Sequence, residues 1–193
     1  MKKIMFSDKY CLTQAVLNGT KTMTRRVLKE GTPLGNWEET AKCLPYKVGD
    51  IVAIAQPYKD IIECMAEYSD IMINVDGSIN REYKAGWTNR MFVRADLLPH
   101  HIRITDVKVE HLQDISDKEC LREGVKRASI GFYAEGVKVK NCEKEAHRET
   151  ASGCLKLFPF PRPAFASLID KISGKGTWEN NPFVAAYSFE LVD

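Results

Sequence analysis

His101-Ile102-Arg103-Ile104-Thr105-Asp106-Val107-Lys108-Val109-Glu110-His111-Leu112 is the stretch that decides the fold class. Ile102 and Ile104 alternate with polar neighbours; Val107 and Val109 alternate in the opposite phase. A period of two predicts a half-buried strand. The phase slip at Thr105-Asp106 predicts a bulge, as a curved strand needs. Phe183 to Val192 predicts a second strand, with Phe183, Ala185, Tyr187, Phe189 and Leu191 on one face and Ser188 and Glu190 on the other. Tyr46-Lys47-Val48-Gly49-Asp50 reads as a tight turn feeding a buried strand, Ile51-Val52-Ala53-Ile54-Ala55. The expectation is a curved, mainly antiparallel sheet with short helices at its edges, an α+β class that is mainly β. The scarcity of βαβ units disfavours Rossmann and TIM arrangements, and there is no GxGxxG or Walker A sequence.

Three helices are expected around that sheet. Residues 7–18 place Cys11, Leu12, Ala15 and Val16 on one face, with Ser7 or Asp8 as cap and Gly19 as a left-handed stop. Ser116-Asp117-Lys118-Glu119 is a capping box opening a helix that Gly124 ends. Residues 164–173 carry Phe165, Leu168, Ile169 and Ile172 at helical spacing, before Gly174-Lys175-Gly176. Two segments read as insertions in a single domain spanning 1–193, at about 57–90 and 126–163. The first contains a hairpin turn at Val75-Asp76-Gly77-Ser78 and is expected to return to the core through Trp87, Met91 and Phe92. The second fits a mobile lid or an ordered surface excursion.

The chain has 193 residues, 44% apolar and 28% charged, with a formal net charge of +2. That balance suits a globular domain and argues against polybasic binding of long duplexes. Six cysteines, at 11, 43, 64, 120, 142 and 154, form no CxxC pair, so reduced thiols in a cytoplasmic protein are expected. Asp8 interrupts the basic N-terminus before a signal-peptide core could form, and no apolar run reaches membrane-spanning length. Cys142, His147 and Cys154 fall short of a fourth zinc ligand. No metal, cofactor or membrane partner is therefore expected. Trp37, Trp87 and Trp178 are expected to pack in the core or half-buried.

Chemistry concentrates in Gly19-Thr20-Lys21-Thr22-Met23-Thr24-Arg25-Arg26, read as a loop just past a helix end. Arginine offers a planar fork to phosphate or a base edge, and lysine a movable point charge. Composition alone favours a solvated basic loop paired with surface acids. Glu123 closes the helix begun by Ser116, where the helix dipole disfavours an anion. Such local conflicts occur at functional positions; the structural alternative is an exposed Glu paired with Lys126 or Arg127.

The run from Ile4-Met5-Phe6-Ser7 to Arg26 resembles the N-terminal signature of the ASCH family, in which a helix ends in Gly-x-Lys-Thr-x-Thr-x-Arg. The Gly49-Asp50 turn, the block Ile104 to Gly124, and Gly174-Lys175-Gly176-Thr177-Trp178-Glu179-Asn180-Asn181-Pro182 with its closing strand follow in the family's order, the last resembling phage and prophage versions. The resemblance implies a PUA-like curved antiparallel β-barrel with flanking short helices, and a cleft that binds RNA or a modified nucleoside or nucleotide. Within the family a bacterial branch, an amidohydrolase, deacylates N4-acetylcytidine with a Lys, a Thr and a Glu. These map onto Lys21, Thr24 and Glu123 as catalytic residues, with Thr22, Arg25 and Arg26 as substrate-binding residues. The primary expectation is binding, and the alternative is hydrolysis of an acylated nucleobase. A further alternative is a phage-type protein-interaction module without catalysis. The two insertions depart from the enzyme branch and reshape the cleft's surroundings.

Overall fold

A computed structural model describes residues 1–62, 71–139 and 155–192. Its centre is a five-stranded sheet of order β1-β3-β4-β7-β2, formed by β1 (Lys2–Ile4), β2 (Met23–Val27), β3 (Ile51–Ile54), β4 (His101–His111) and β7 (Phe183–Leu191). The pairings are antiparallel except β1 with β3, which is parallel, so the sheet is mixed. A separate two-stranded ladder joins β5 (Lys126–Arg127) to β6 (Phe132–Tyr133). The helices are α1 (Leu12–Leu17), α2 (Trp37–Cys43), α3 (Tyr58–Ile61), α4 (Asp117–Arg122), α5 (Pro161–Ser173) and α6 (Thr177–Asn180). The architecture is α+β.

The phase slip in β4 is a register shift against β7 between Ile104 and Asp106. It lets Ile102 and Ile104 before it, and Val107 after it, all be buried in one core. Among the described residues the sheet does not close: β1 and β2 stand at opposite edges and are not paired. Instead the Arg26 guanidinium crosses the gap to donate to the Met5 carbonyl at 2.5 Å. The candidate site lies at this unclosed seam.

Several expectations change in detail. The first helix is split: a 3-10 turn at Asp8–Tyr10 and α1 are separated by Cys11, which has φ +52. Met23 to Arg26, expected within a loop, belong with Val27 to an edge strand, because all five pair with residues 184–188 of β7. Met91 and Phe92 are exposed rather than in the core, and so is Trp37, while Trp87 and Trp178 are partly buried. Within the segment expected as the first insertion, Tyr58, Ile61, Met72 and Tyr83 join Ala53, Ala55, Val93 and Leu97 in a second core. In the segment expected as the second insertion, Ala134, Val137 and Phe158 are buried in the main core. Cys142, His147 and Cys154 lie outside the described residues.

Candidate ligand-binding site

Two element ends bring the site together. After α1 the chain turns at Gly19, whose φ of +68 fits the left-handed stop, and the Thr20 and Lys21 amides both donate to the Ala15 carbonyl at 2.9 Å. That fold-back starts β2 beside the end of α4. The capping box fixes the other end: Ser116 accepts from the Glu119 amide, and Glu119 accepts from the Ser116 amide. Gly124 then leaves α4 with φ +106, and a Cβ there would lie 2.9 Å from Leu12 Cδ2. Both the backbone angle and this close approach require glycine.

Lys21 and Glu123 meet in that corner, both buried. Lys21 Nζ donates to Glu123 Oε2, to the Glu123 carbonyl and to the Met23 carbonyl, each at 2.7 Å. It thereby satisfies a terminal carbonyl of α4 and places a cation where the helix dipole favours one. Burial lowers the Lys21 pKa; the charge and hydrogen bond of Glu123 oppose this, and Arg26 and Arg25 add to the lowering. Glu123 is thus neither exposed nor paired with Lys126, which instead meets Glu135 at 3.0 Å.

Arg25 takes the other Glu123 oxygen: its NH1 lies 3.2 Å from Oε1. Its Nε and NH2 reach Glu110 at 3.1 and 2.6 Å, and NH2 is 3.1 Å from Glu119. Lys108 bridges Glu110 and Glu119 at 2.8 and 2.6 Å. Lys21, Arg25 and Lys108 therefore balance Glu110, Glu119 and Glu123, as a network of buried charge needs. Burial lowers the Arg25 pKa, but Glu123, Glu110 and Glu119 outweigh it and hold the guanidinium firmly charged. Burial pushes the Glu119 carboxyl up, yet the hydrogen bonds from Lys108 and Ser116 and the charge of Arg25 bring it down to about 2.

A cavity of about 390 Å³ opens at the seam. Phe6, Leu12, Phe165, Leu168, Ile169 and Ile172 give it apolar walls, and Lys21, Thr24, Arg25, Arg26 and Glu123 supply polar groups. Five of the six expected site residues therefore line one space. Thr22 does not: its hydroxyl accepts from Arg122 Nε at 3.1 Å, and its amide donates to the Arg122 carbonyl, tying β2 to α4. The Thr24 hydroxyl has no hydrogen-bond partner among the described residues. The Arg25 guanidinium is engaged by carboxylates and offers no fork to a ligand. Arg26 sits over the Phe6 ring, with its Nε buried and unpartnered. Sequence reading missed Glu110, Glu119 and Lys108. Glu110 and Lys108 occupy the polar phase of β4 opposite Val107 and Val109, a pattern that equally describes a solvated strand face. Among the described residues no group of His, Cys, Asp and Glu could hold a metal ion, and no helix is long and apolar enough to cross a membrane.

No family model and no curated relative matches the chain. Two solved structures resemble it. Protein EF3133 from Enterococcus faecalis V583, of family DUF984, has 13% identity and a TM-score of 0.44 over 100% of this chain and 77% of that one. An ASCH domain from Lactobacillus crispatus JV V101 has 12% identity and a TM-score of 0.37 over 96% of this chain and 75% of that one.

Proposed function

We propose that this chain is an ASCH-type protein of the phage or prophage kind, and that its seam cavity binds a modified nucleoside, base first. The observation that carries this reading is the cavity's make-up. Small-molecule sites are concave, mostly apolar spaces of roughly 300–1,000 Å³ with a few convergent polar groups. Here Phe6, Phe165 and Leu168 offer apolar surfaces to a planar ring, and Thr24 and Glu123 offer it polar groups beside the internally satisfied Lys21. A free nucleoside is favoured over long RNA because net charge is only +2 and the Arg25 guanidinium is held by three carboxylates.

Calorimetric titration of the full chain with cytidine, N4-acetylcytidine and a single-stranded oligonucleotide tests this. The expected result is saturable nucleoside binding that Ile172→Trp, at the half-exposed wall of the cavity, weakens at least tenfold with the fold intact. Salt-sensitive oligonucleotide binding that Ile172→Trp leaves unchanged, without nucleoside binding, would overturn it.

A second reading, hydrolysis, is favoured by the unpartnered Thr24 hydroxyl on the wall that carries the Lys21–Glu123 pair. Thr24 Oγ1 would attack the acyl carbon of an N4-acylated cytosine, the C–N bond would break, and the exocyclic amine would leave with the proton Thr24 gave up. Lys21 can accept that proton only after passing one of its own to Glu123 across their 2.7 Å hydrogen bond. Water would then cleave the threonine ester and restore the enzyme. Chromatography should show cytidine released from N4-acetylcytidine, and none with Thr24→Ala. Tight binding without turnover across a panel of N4-acylcytidines would leave binding alone.

A further inference from the structure

The pairing of β2 with β7 fixes which main-chain groups face the seam. The Phe189 amide donates to the Thr22 carbonyl, and the Leu28 amide to the Phe183 carbonyl. In an antiparallel pair, hydrogen-bonded positions alternate with positions whose N–H and C=O both point away from the partner strand. Thr24 and Arg26, opposite Tyr187 and Ala185, are therefore bonded to β7. Met23, Arg25 and Val27 turn their peptide groups to the free edge. Lys21 Nζ already occupies the Met23 carbonyl on that edge.

Arg25 lines the cavity, yet its side chain has 0% exposure while the whole residue has 5%. What it presents is main chain. We infer that the Arg25 N–H and C=O form the recognition edge of the cavity, a donor beside an acceptor that reads a planar heterocycle carrying an acceptor nitrogen next to an exocyclic N–H. The N–H donates to the ring nitrogen, and the C=O accepts from the amine. Cytosine has this edge at N3 and N4, and N4-acylation leaves one N–H to give. The inference rests on the nucleoside reading for the ligand's identity, but the edge chemistry stands apart from it.

The geometry selects a small ring over an added peptide strand. A peptide joining a sheet edge needs a run of open positions. Here Lys21 on Met23 stops the edge at one end, and Arg26 spans from β2 to the Met5 carbonyl just beyond Arg25. Arg25 is the open peptide unit held between the Lys21–Glu123 corner and the Arg26 bridge. A ring docked there lies beside Thr24 and the Lys21–Glu123 pair. The burial of the guanidinium in its carboxylate network fixes the edge, because β2 cannot slide or twist without breaking those ion pairs.

Amide resonances of the isotopically labelled full chain test the inference with four probes: 2-aminopyridine, pyridine, cytidine and 3-deazacytidine. 2-Aminopyridine and cytidine should shift the Arg25 amide and slow its exchange with solvent. Pyridine lacks the donor and 3-deazacytidine the acceptor, so each should bind at least tenfold more weakly than its counterpart. An Arg25 amide that none of the probes moves, or equal affinities within each pair, overturns the inference. A shift with 2-aminopyridine but not cytidine upholds it and removes the nucleoside reading. Cytidine binding with the Arg25 amide unmoved does the reverse.

Discussion

Replacing Glu119 by Gln separates the charge of the buried network from its shape. The amide has nearly the carboxylate's size and can still close the capping box with Ser116, because Gln serves at that position as Glu does. What disappears is a negative charge 2.6 Å from Lys108 Nζ and 3.1 Å from the Arg25 guanidinium. The Glu119 side chain is only 16% exposed, so solvent screens these contacts in part. Its carboxyl is held at about 2 against an ordinary 4.5. At about 1.4 kcal/mol per pH unit, that difference stabilises the folded chain by up to about 3 kcal/mol near neutrality. The sign follows from the lowered pKa. The contribution is complete above the unfolded-state value of 4.5 and is lost as pH falls through that value to about 2. Urea unfolding of the parent and Glu119→Gln, stepped from about pH 7 downward, measures it. The two stabilities should differ by about 2–3 kcal/mol at neutral pH and converge on acidification. A gap that stays flat with pH, or one below about 0.5 kcal/mol at neutrality, would refute an anchoring role for this charge.

Three other outcomes follow from the same geometry. Lys21→Met should cost up to about 3–5 kcal/mol in chemical denaturation, because it leaves Glu123 Oε2 and two buried carbonyls without a donor while Arg25 keeps only Oε1; adding Glu123→Gln should recover part of that loss. Gly124→Ala should lower stability by more than about 1 kcal/mol, since its φ of +106 and the nearby Leu12 side chain both oppose a Cβ; a neutral effect would show that the α4 exit can rearrange. Burial first, then Asp117, pushes the Cys120 thiol up to about 12. Residue-resolved mass spectrometry should therefore find Cys120 unalkylated in the native chain at mildly alkaline pH while exposed Cys11 and Cys43 react.

The framework was legible in the sequence wherever local pattern and tertiary need coincided. The alternation in β4, its slip before Asp106, the Ser116 capping box and the Gly19 stop are local signals, and each has its counterpart in the structure. Met23 to Arg26 read as loop because a five-residue edge strand with two arginines and one threonine is defined by its partner β7 and not by its own pattern. The parallel β1–β3 pair depends on contacts between residues about fifty positions apart, which no window along the chain reveals. At the site, residue types pointed to Lys21, Thr24 and Glu123, while their burial was hidden. A basic loop and an acid at a helix end look solvated until folding sets Lys21 against Glu123 and Arg25 against three carboxylates. Thr22 shares the alternation phase of Thr24, but it precedes β2, and Arg122 takes both its hydroxyl and its amide, tying it to the end of α4 outside the cavity lining.

The most direct test of the nucleoside site is a crystal structure of the full chain grown with cytidine. The base should lie in the seam cavity between Phe6 and Leu168, with its N3–N4 edge on the Arg25 main chain beside Thr24. Cytidine bound elsewhere, for example on the groove beside Trp178 and Arg162, with the seam cavity empty, would contradict the account.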